Sequence, residues 1–289
     1  MQIHRNVERQ DMNLFVEKVL GEHKDLLRNF YVCMGSKMNE GIYSVADENG
    51  IVVAASTHYS TWHPHCVYVR FAYDFNCVDE RAIHFMIEFL KDEFEKPLFV
   101  LIEDRFSRLG ELLLQKDFRL IRKTEVINIK PESCSTENDI RNKEIKTVEE
   151  ILKDPILLSS LIEICKKTYT ETHVDNPVAD SSTLSWESVI LDDLIDSSSY
   201  VVVNGNNVVA FSLMYEGEGY SWELGWIGVA NSEEMVLLDV ILSKQLHDAN
   251  EQKIAYIEKE VDSTCPYSLH IAKSLLYEVS ETLYTYVDK

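Results

Sequence analysis

The sequence runs to 289 residues, longer than one ordinary domain, and 45% of it is hydrophobic, so two domains with a core each are expected. A formal net charge of −21 argues against nucleic acid and anionic membrane surfaces as partners, because both need clustered Lys and Arg. The longest apolar runs, Pro97 to Ile102 and Tyr200 to Val203, fall far short of the ~20 residues of a membrane helix, and the polar start Met1 to Gln10 lacks a signal peptide's apolar core; a cytoplasmic address is the expectation.

In chain order, a helix is predicted over Val7 to Leu20. Two alternating strands follow, Ile42 to Ala46 and Ile51 to His58, and the Asn49-Gly50 pair between them favours a tight hairpin. Cys66 to Tyr73 reads as a third strand. Ala82, Phe85, Met86, Phe89 and Leu90 keep helical spacing, and the β-rich run Pro97 to Glu103 comes directly after them. A helix over Phe106 to Lys116 and a strand over Leu120 to Ile129 close the first half.

The second half repeats that order. Strands Tyr200 to Val203 and Val208 to Tyr215 flank the turn Asn204-Gly205-Asn206-Asn207, and Tyr220 to Val229 is a third strand. Glu233 to Ala249 is predicted helical, with Leu238, Ile241, Leu242 and Leu246 on one face. Ile254 to Lys259, Tyr267 to Tyr277 and Thr282 to Val287 then read as strand, helix and strand. The two copies are offset by about 156 to 164 residues, a spacing that points to duplication. The expected boundaries are a domain over 1–130, a polar linker over 131–143 and a domain over 144–289. The fold class is α/β (α+β): two tandem domains, each a mixed, mostly antiparallel sheet flanked by helices.

Charge divides unevenly between the halves. Residues 1–140 hold 23 acids and 17 bases, whereas 141–289 hold 26 and 11, and the interval from Lys167 to Lys244 contains 13 acids and no base between its ends. Either a solvated acidic surface or a cleft that attracts cationic amines fits that bias. The six cysteines show no metal-like spacing and read as small buried hydrophobes. His58, His63 and His65 have no acid nearby in sequence and make a weak metal set, so no metal is expected.

The element order, with Glu223-Leu-Gly-Trp-Ile-Gly-Val229 running into a helix, resembles the GCN5-related N-acetyltransferases. Leu276-Tyr277-Glu278 is similar to that family's Leu-Tyr-Glu segment, and Leu112 to Phe118 takes its place in the first half. The resemblance implies transfer of an acetyl group from acetyl-CoA to an amine. It needs a base on the fourth strand, which falls on Glu223, and an acid on the last helix, which falls on Tyr277. The first copy has Leu113 at the tyrosine position, so it is expected to be silent. A strand glutamate among apolar neighbours also reads as plain solvent-facing alternation, and Tyr277 as a core aromatic.

The resemblance places the cofactor site at the strand end Ile227, Gly228, Val229 and the helix start Glu234, Met235, Val236. Family members carry a basic and glycine-rich turn there; this chain has ANSEEMVLL instead. A carboxylate 4 Å from a phosphate would cost on the order of 4 kcal/mol at an effective dielectric of ~20. The acceptor side is expected at Tyr169, His173 and Asp175, in a polar aromatic loop that alternatively caps a helix before Pro177. Three readings stay open: a working N-acetyltransferase of a small-molecule amine, monomeric or homodimeric; a catalytically degenerate tandem protein that binds or regulates; and a transferase with a donor lacking pyrophosphate.

Overall fold

A computed structural model of the chain describes residues 1–5, 9–76, 79–133, 143–180 and 183–288. These form two compact units. The N-terminal unit holds Met1–Arg122, Asp175–Ala179 and Leu283–Lys289, and the C-terminal unit holds Lys123–Val174 and Asp180–Thr282.

In the N-terminal unit, strands β1 (Gln2–Arg5), β2 (Asn39–Asp47), β3 (Gly50–Tyr59) and β4 (Val67–Tyr73) pair antiparallel in sequence order. The expected β2–β3 hairpin forms with the two-residue loop Glu48-Asn49, and Gly50 opens β3 at φ 121°, a conformation open to glycine. Helices α1 (Arg9–Leu20) and α2 (Lys24–Gly35) cover one face through Met12, Val16, Leu20 and Phe30 against Ile42, Ala54 and Ala72. Helix α3 (Glu80–Glu93), capped by the Asp79 carboxylate on the Ala82 N–H, covers the other with Ile83, Met86, Ile87 and Leu90. Strand β5 (Leu98–Glu103) lies parallel to β4, and α4 (Ser107–Leu114) follows it.

The C-terminal unit repeats the plan. Strand β7 (Glu144–Thr147) leads through α5 (Val148–Ile151), closed by a Thr147/Glu150 capping box, into α6 (Pro155–Thr172) and α7 (Thr183–Leu191). Strands β8 (Tyr200–Asn204), β9 (Asn207–Glu216) and β10 (Ser221–Val229) are antiparallel, and β11 (Tyr256–Asp262) runs parallel to β10. Helix α8 (Val236–Glu251) buries Leu238, Ile241, Leu242 and Leu246, the stripe read from periodicity, and shortening any one of these to Ala should cost about 2–5 kcal/mol. Helix α9 (Pro266–Lys273) follows β11.

The closing strands are exchanged. Strand β6 (Arg119–Ile129), from the first half of the sequence, pairs antiparallel with β11 of the C-terminal unit, from Ile257↔Ile129 to Asp262↔Thr124. Strand β12 (Tyr277–Val287), from the second half, pairs with β5 of the N-terminal unit, from Leu283↔Glu103 to Val287↔Phe99, and brings Tyr286 into that unit's core.

Two expectations need correction. The last helix ends at Lys273 rather than Tyr277: Ser274 closes it by donating to the Ile271 carbonyl, and the alternating β-formers of 279–287 claim Tyr277 as the first residue of β12. Helix α8 starts at Val236 rather than Glu233, because a 3₁₀ turn over Ser232–Glu234 precedes it. Residues 7 and 8 of the first expected helix, residues 134–142 of the expected linker, and Cys77 and Cys134 lie outside the described residues.

Candidate functional site

The feature shared by both units is a parallel strand pair that parts. In the C-terminal unit β10 and β11 pair only at Ser221↔Tyr256, Trp222↔Ile257 and Glu223↔Glu258. Beyond that point β10 carries a bulge between Leu224 and Ile227 in its register with β9. The bulge divides the strand by face. Trp222, Leu224, Ile227 and Val229 join the α8 core, leaving Glu223, Trp226 and Gly228 toward α6 and α7.

Both glycines of the Leu-Gly-Trp-Ile-Gly run are set by close approach. A Cβ on Gly228 would lie 2.7 Å from Thr168 Cγ2 on α6, and one on Gly225 would strike the Tyr215 ring. Tyr215 in turn donates its hydroxyl to the Ile190 carbonyl at 2.9 Å, which ties α7 to the sheet.

On this face four aromatic rings assemble. Tyr169 stacks on Trp226 at 4.8 Å and on His173 at 3.9 Å, and the fully buried Trp186 meets Tyr169 and Trp226 edge-on at 5.7 and 5.8 Å. Two carboxylates stand on adjacent strands beside it. Glu223 is exposed, and its register partner Glu258 is half-buried, with its carboxyl held above the usual carboxylate range by burial, then by Glu223 and Glu218. Such a pair disfavours its second negative charge and so favours a proton or a cation.

The opening between the strands is crossed by two contacts. Lys259, buried on β11, donates from Nζ to the Gly225 carbonyl at 2.7 Å, and burial pushes its ammonium down. Tyr267, in the first turn of α9 and packed with the α8 core, donates from its hydroxyl to Glu171 on α6 at 3.2 Å. Burial, then Glu171, pushes that phenol up to about 12, so it keeps its proton at neutral pH.

Of the residues expected to act, Tyr169 and His173 come together. Asp175 does not join them: it belongs to the N-terminal unit and pairs with Arg119 at 2.6 Å, because the chain turns away after His173. Glu223 is on the expected strand. Tyr277 opens β12, and among the described residues no hydrogen bond, ion pair or ring contact joins it to Glu223.

Ile227 and Val229 are buried in the core, and Leu237 packs among them. Glu234 pairs with Lys143 at 3.2 Å, which offsets the repulsion expected of a carboxylate at a phosphate site. Met235 stands at the N-cap of α8 without a side-chain cap, its carbonyl already accepting from the Leu238 amide at 3.0 Å, and Val236 is exposed. An acyl-CoA arm laid along the parted edge of β10 would have to displace the Lys259 contact with Gly225.

Trp186, Trp226, Glu258, Lys259 and Tyr267 were not singled out from sequence. Trp226 carried a signal, a second large ring three residues beyond Glu223; the others depend on which strands and helices meet.

No family model and no curated protein sequence matches the chain. Solved structures do. A GCN5-related N-acetyltransferase from Sphaerobacter thermophilus superposes with a TM-score of 0.62 at 12% identity, covering 99% of this chain and 95% of that one. An acetyltransferase of the GNAT family from Colwellia psychrerythraea gives 0.56 at 9% identity over the whole of both chains. A tandem GNAT protein from the clavulanic acid biosynthesis pathway gives 0.55 at 7% identity, covering 99% of this chain and 98% of that one. The chain thus has the fold of the GCN5-related N-acetyltransferases, in tandem.

Proposed function

We propose that the chain is an N-acetyltransferase acting on a small amine, with its chemistry in the C-terminal unit. The observation that carries this is the pairing of Glu223 with Glu258 where β10 and β11 part, beside the aromatic face of Tyr169 and Trp226. The carboxylates draw a cationic amine and take up the proton it must lose before its lone pair can attack. Glu258, raised by its surroundings, is the better holder of that proton. The stacked rings offer a flat apolar wall for the body of the amine. Acetyl-CoA, when bound, supplies the acetyl thioester. Tyr267 keeps a phenolic proton at the same opening and is placed to hold it toward a departing thiolate, a role that the family pattern would have given to Tyr277.

A second reading, a non-catalytic tandem protein that binds or regulates, is favoured by the Lys259 and Tyr267 contacts that cross the opening. A thermal-shift titration with acetyl-CoA, followed by thiol-release assays on primary amines, separates the two. The first reading expects a rise in midpoint and amine-dependent thiol release, with Tyr267→Phe lowering kcat more than it raises KM. No shift at millimolar acetyl-CoA would leave the second.

A further inference from the structure

The N-terminal unit holds a cavity of about 40 Å³ where β4 and β5 part. Phe30 of α2, Phe71, Phe75, Val100, Phe106 and Leu109 wall it, and into this apolar space the chain sets Arg70. No hydrogen bond or ion pair holds the Arg70 guanidinium among the described residues. The titratable groups that act on it are the Cys33 thiol and the Tyr68 phenol, both kept neutral by burial, which pushes thiol and phenol up. Glu103, the acid in the lining, is engaged by Arg105.

Arg70 is half-buried, and a guanidinium held against apolar walls without a counter-charge is costly; this chain has 49 acids from which a partner could have been drawn. Arg70 also cannot shed its charge at physiological pH. Polar groups converge beside it: Asn29 on α2 and Tyr73 on β4 line the same space. Behind it, Cys33 Sγ lies 2.9 Å from His58 Nδ1 and accepts from Ser56 Oγ at 3.2 Å, and His58 stacks on Tyr68, so the wall that carries Arg70 is fixed.

We propose that this cavity binds a short-chain aliphatic monocarboxylate, its carboxylate on Arg70 and its alkyl tail among the phenyl rings. The guanidinium fork matches a carboxylate bidentately, and the ring walls exclude a fully hydrated anion. The site is separate from the acyl-transfer reading of the C-terminal unit and stands or falls without it.

The test is calorimetric titration of the full-length protein with butyrate, with butyramide as the uncharged isostere and inorganic phosphate as the hydrated anion. Butyrate is expected to bind with a Kd below 1 mM and butyramide at least tenfold more weakly, a difference of about 1.4 kcal/mol or more; phosphate is expected not to compete. Arg70→Gln should remove at least nine-tenths of the butyrate affinity, and Arg70→Met should raise the thermal midpoint of the ligand-free protein by relieving the unpaired charge. Equal binding of butyrate and butyramide, no heat from butyrate at 10 mM, or phosphate binding as tightly as butyrate would each overturn the proposal on the unaltered protein, whatever becomes of the variants.

Discussion

At matching places in the two units, the same strand presents opposite chemistry. On β4 of the N-terminal unit, Arg70 and Ala72 lie toward the helices α1 and α2; on β10 of the C-terminal unit, Glu223, Trp226 and Gly228 face α6 and α7. In both, the parallel neighbour pairs for three residues and then departs, at Val69↔Val100 and at Glu223↔Glu258. One backbone opening therefore carries an unpaired, half-buried cation in one copy and two carboxylates in the other. The bulge after Leu224 is confined to β10, since β4 keeps an unbroken register with β3 from Tyr59↔Val67 to Val53↔Tyr73. The scaffold is shared by the two units, and the side chains on one strand face differ in charge between them.

The strongest way to break this pairing of units is to remove residues 283–289. The N-terminal unit then loses the strand that completes β5 and the buried Tyr286, at a cost on the order of 5 kcal/mol or more. Hydrogen exchange should show β5 and α4 unprotected while β10 and α8 stay protected. Equal loss in both units would contradict the division drawn here.

Next in size is the chemistry. Glu223→Gln, if the carboxylate pair is the base, should lower acetyl-transfer turnover by about 10²-fold with the thermal midpoint nearly unchanged, read in steady-state assays. Packing comes third. Gly228→Ala puts a methyl 2.7 Å from Thr168 Cγ2 and 2.9 Å from Phe211 Cε1 and should cost about 1–3 kcal/mol in chemical denaturation. The N-terminal unit already carries that methyl as Ala72, buried against α1 and α2.

The smallest effect is electrostatic. Because the Glu258 carboxyl is raised in the fold, the stability it contributes is full below the unfolded value of about 4.3 and is lost as pH rises through the folded one. Glu258→Gln should therefore raise the melting midpoint at pH 8, by roughly 1–2 °C, and leave it unchanged near pH 4. A benefit at pH 4 that vanishes at pH 8 would reverse the sign of the carboxylate interaction.

Local pattern made the element order legible. Asn49-Gly50 and the Asn204 to Asn207 turn marked the hairpins, and the stripe on α8 and its counterpart on α3 marked the helices that cover the sheets. Helix α2, which walls the N-terminal cavity, is also legible, from Leu26, Leu27, Phe30, Tyr31 and Met34 at helical spacing. The exchange of β6 and β12 left no local sign, because alternation states that a segment is a strand and not which strand it joins. Tyr277 went astray for a related reason: Leu276-Tyr277-Glu278 fits a helix end or a strand start equally, and the β-branched residues beyond it decide. The Lys259 bond to Gly225 depends on where two strands part, which no spacing along the chain encodes.

The exchanged β12 also bears on synthesis. Glu103 waits for Leu283, 180 positions later, so at ~5–20 residues per second the nascent N-terminal sheet spends roughly 10–40 s with the β5 edge bare. During that interval the edge can recruit a strand from another polypeptide emerging nearby. Chaperone dependence during translation, rather than on refolding of the finished protein, is the trait this topology would impose on the cell.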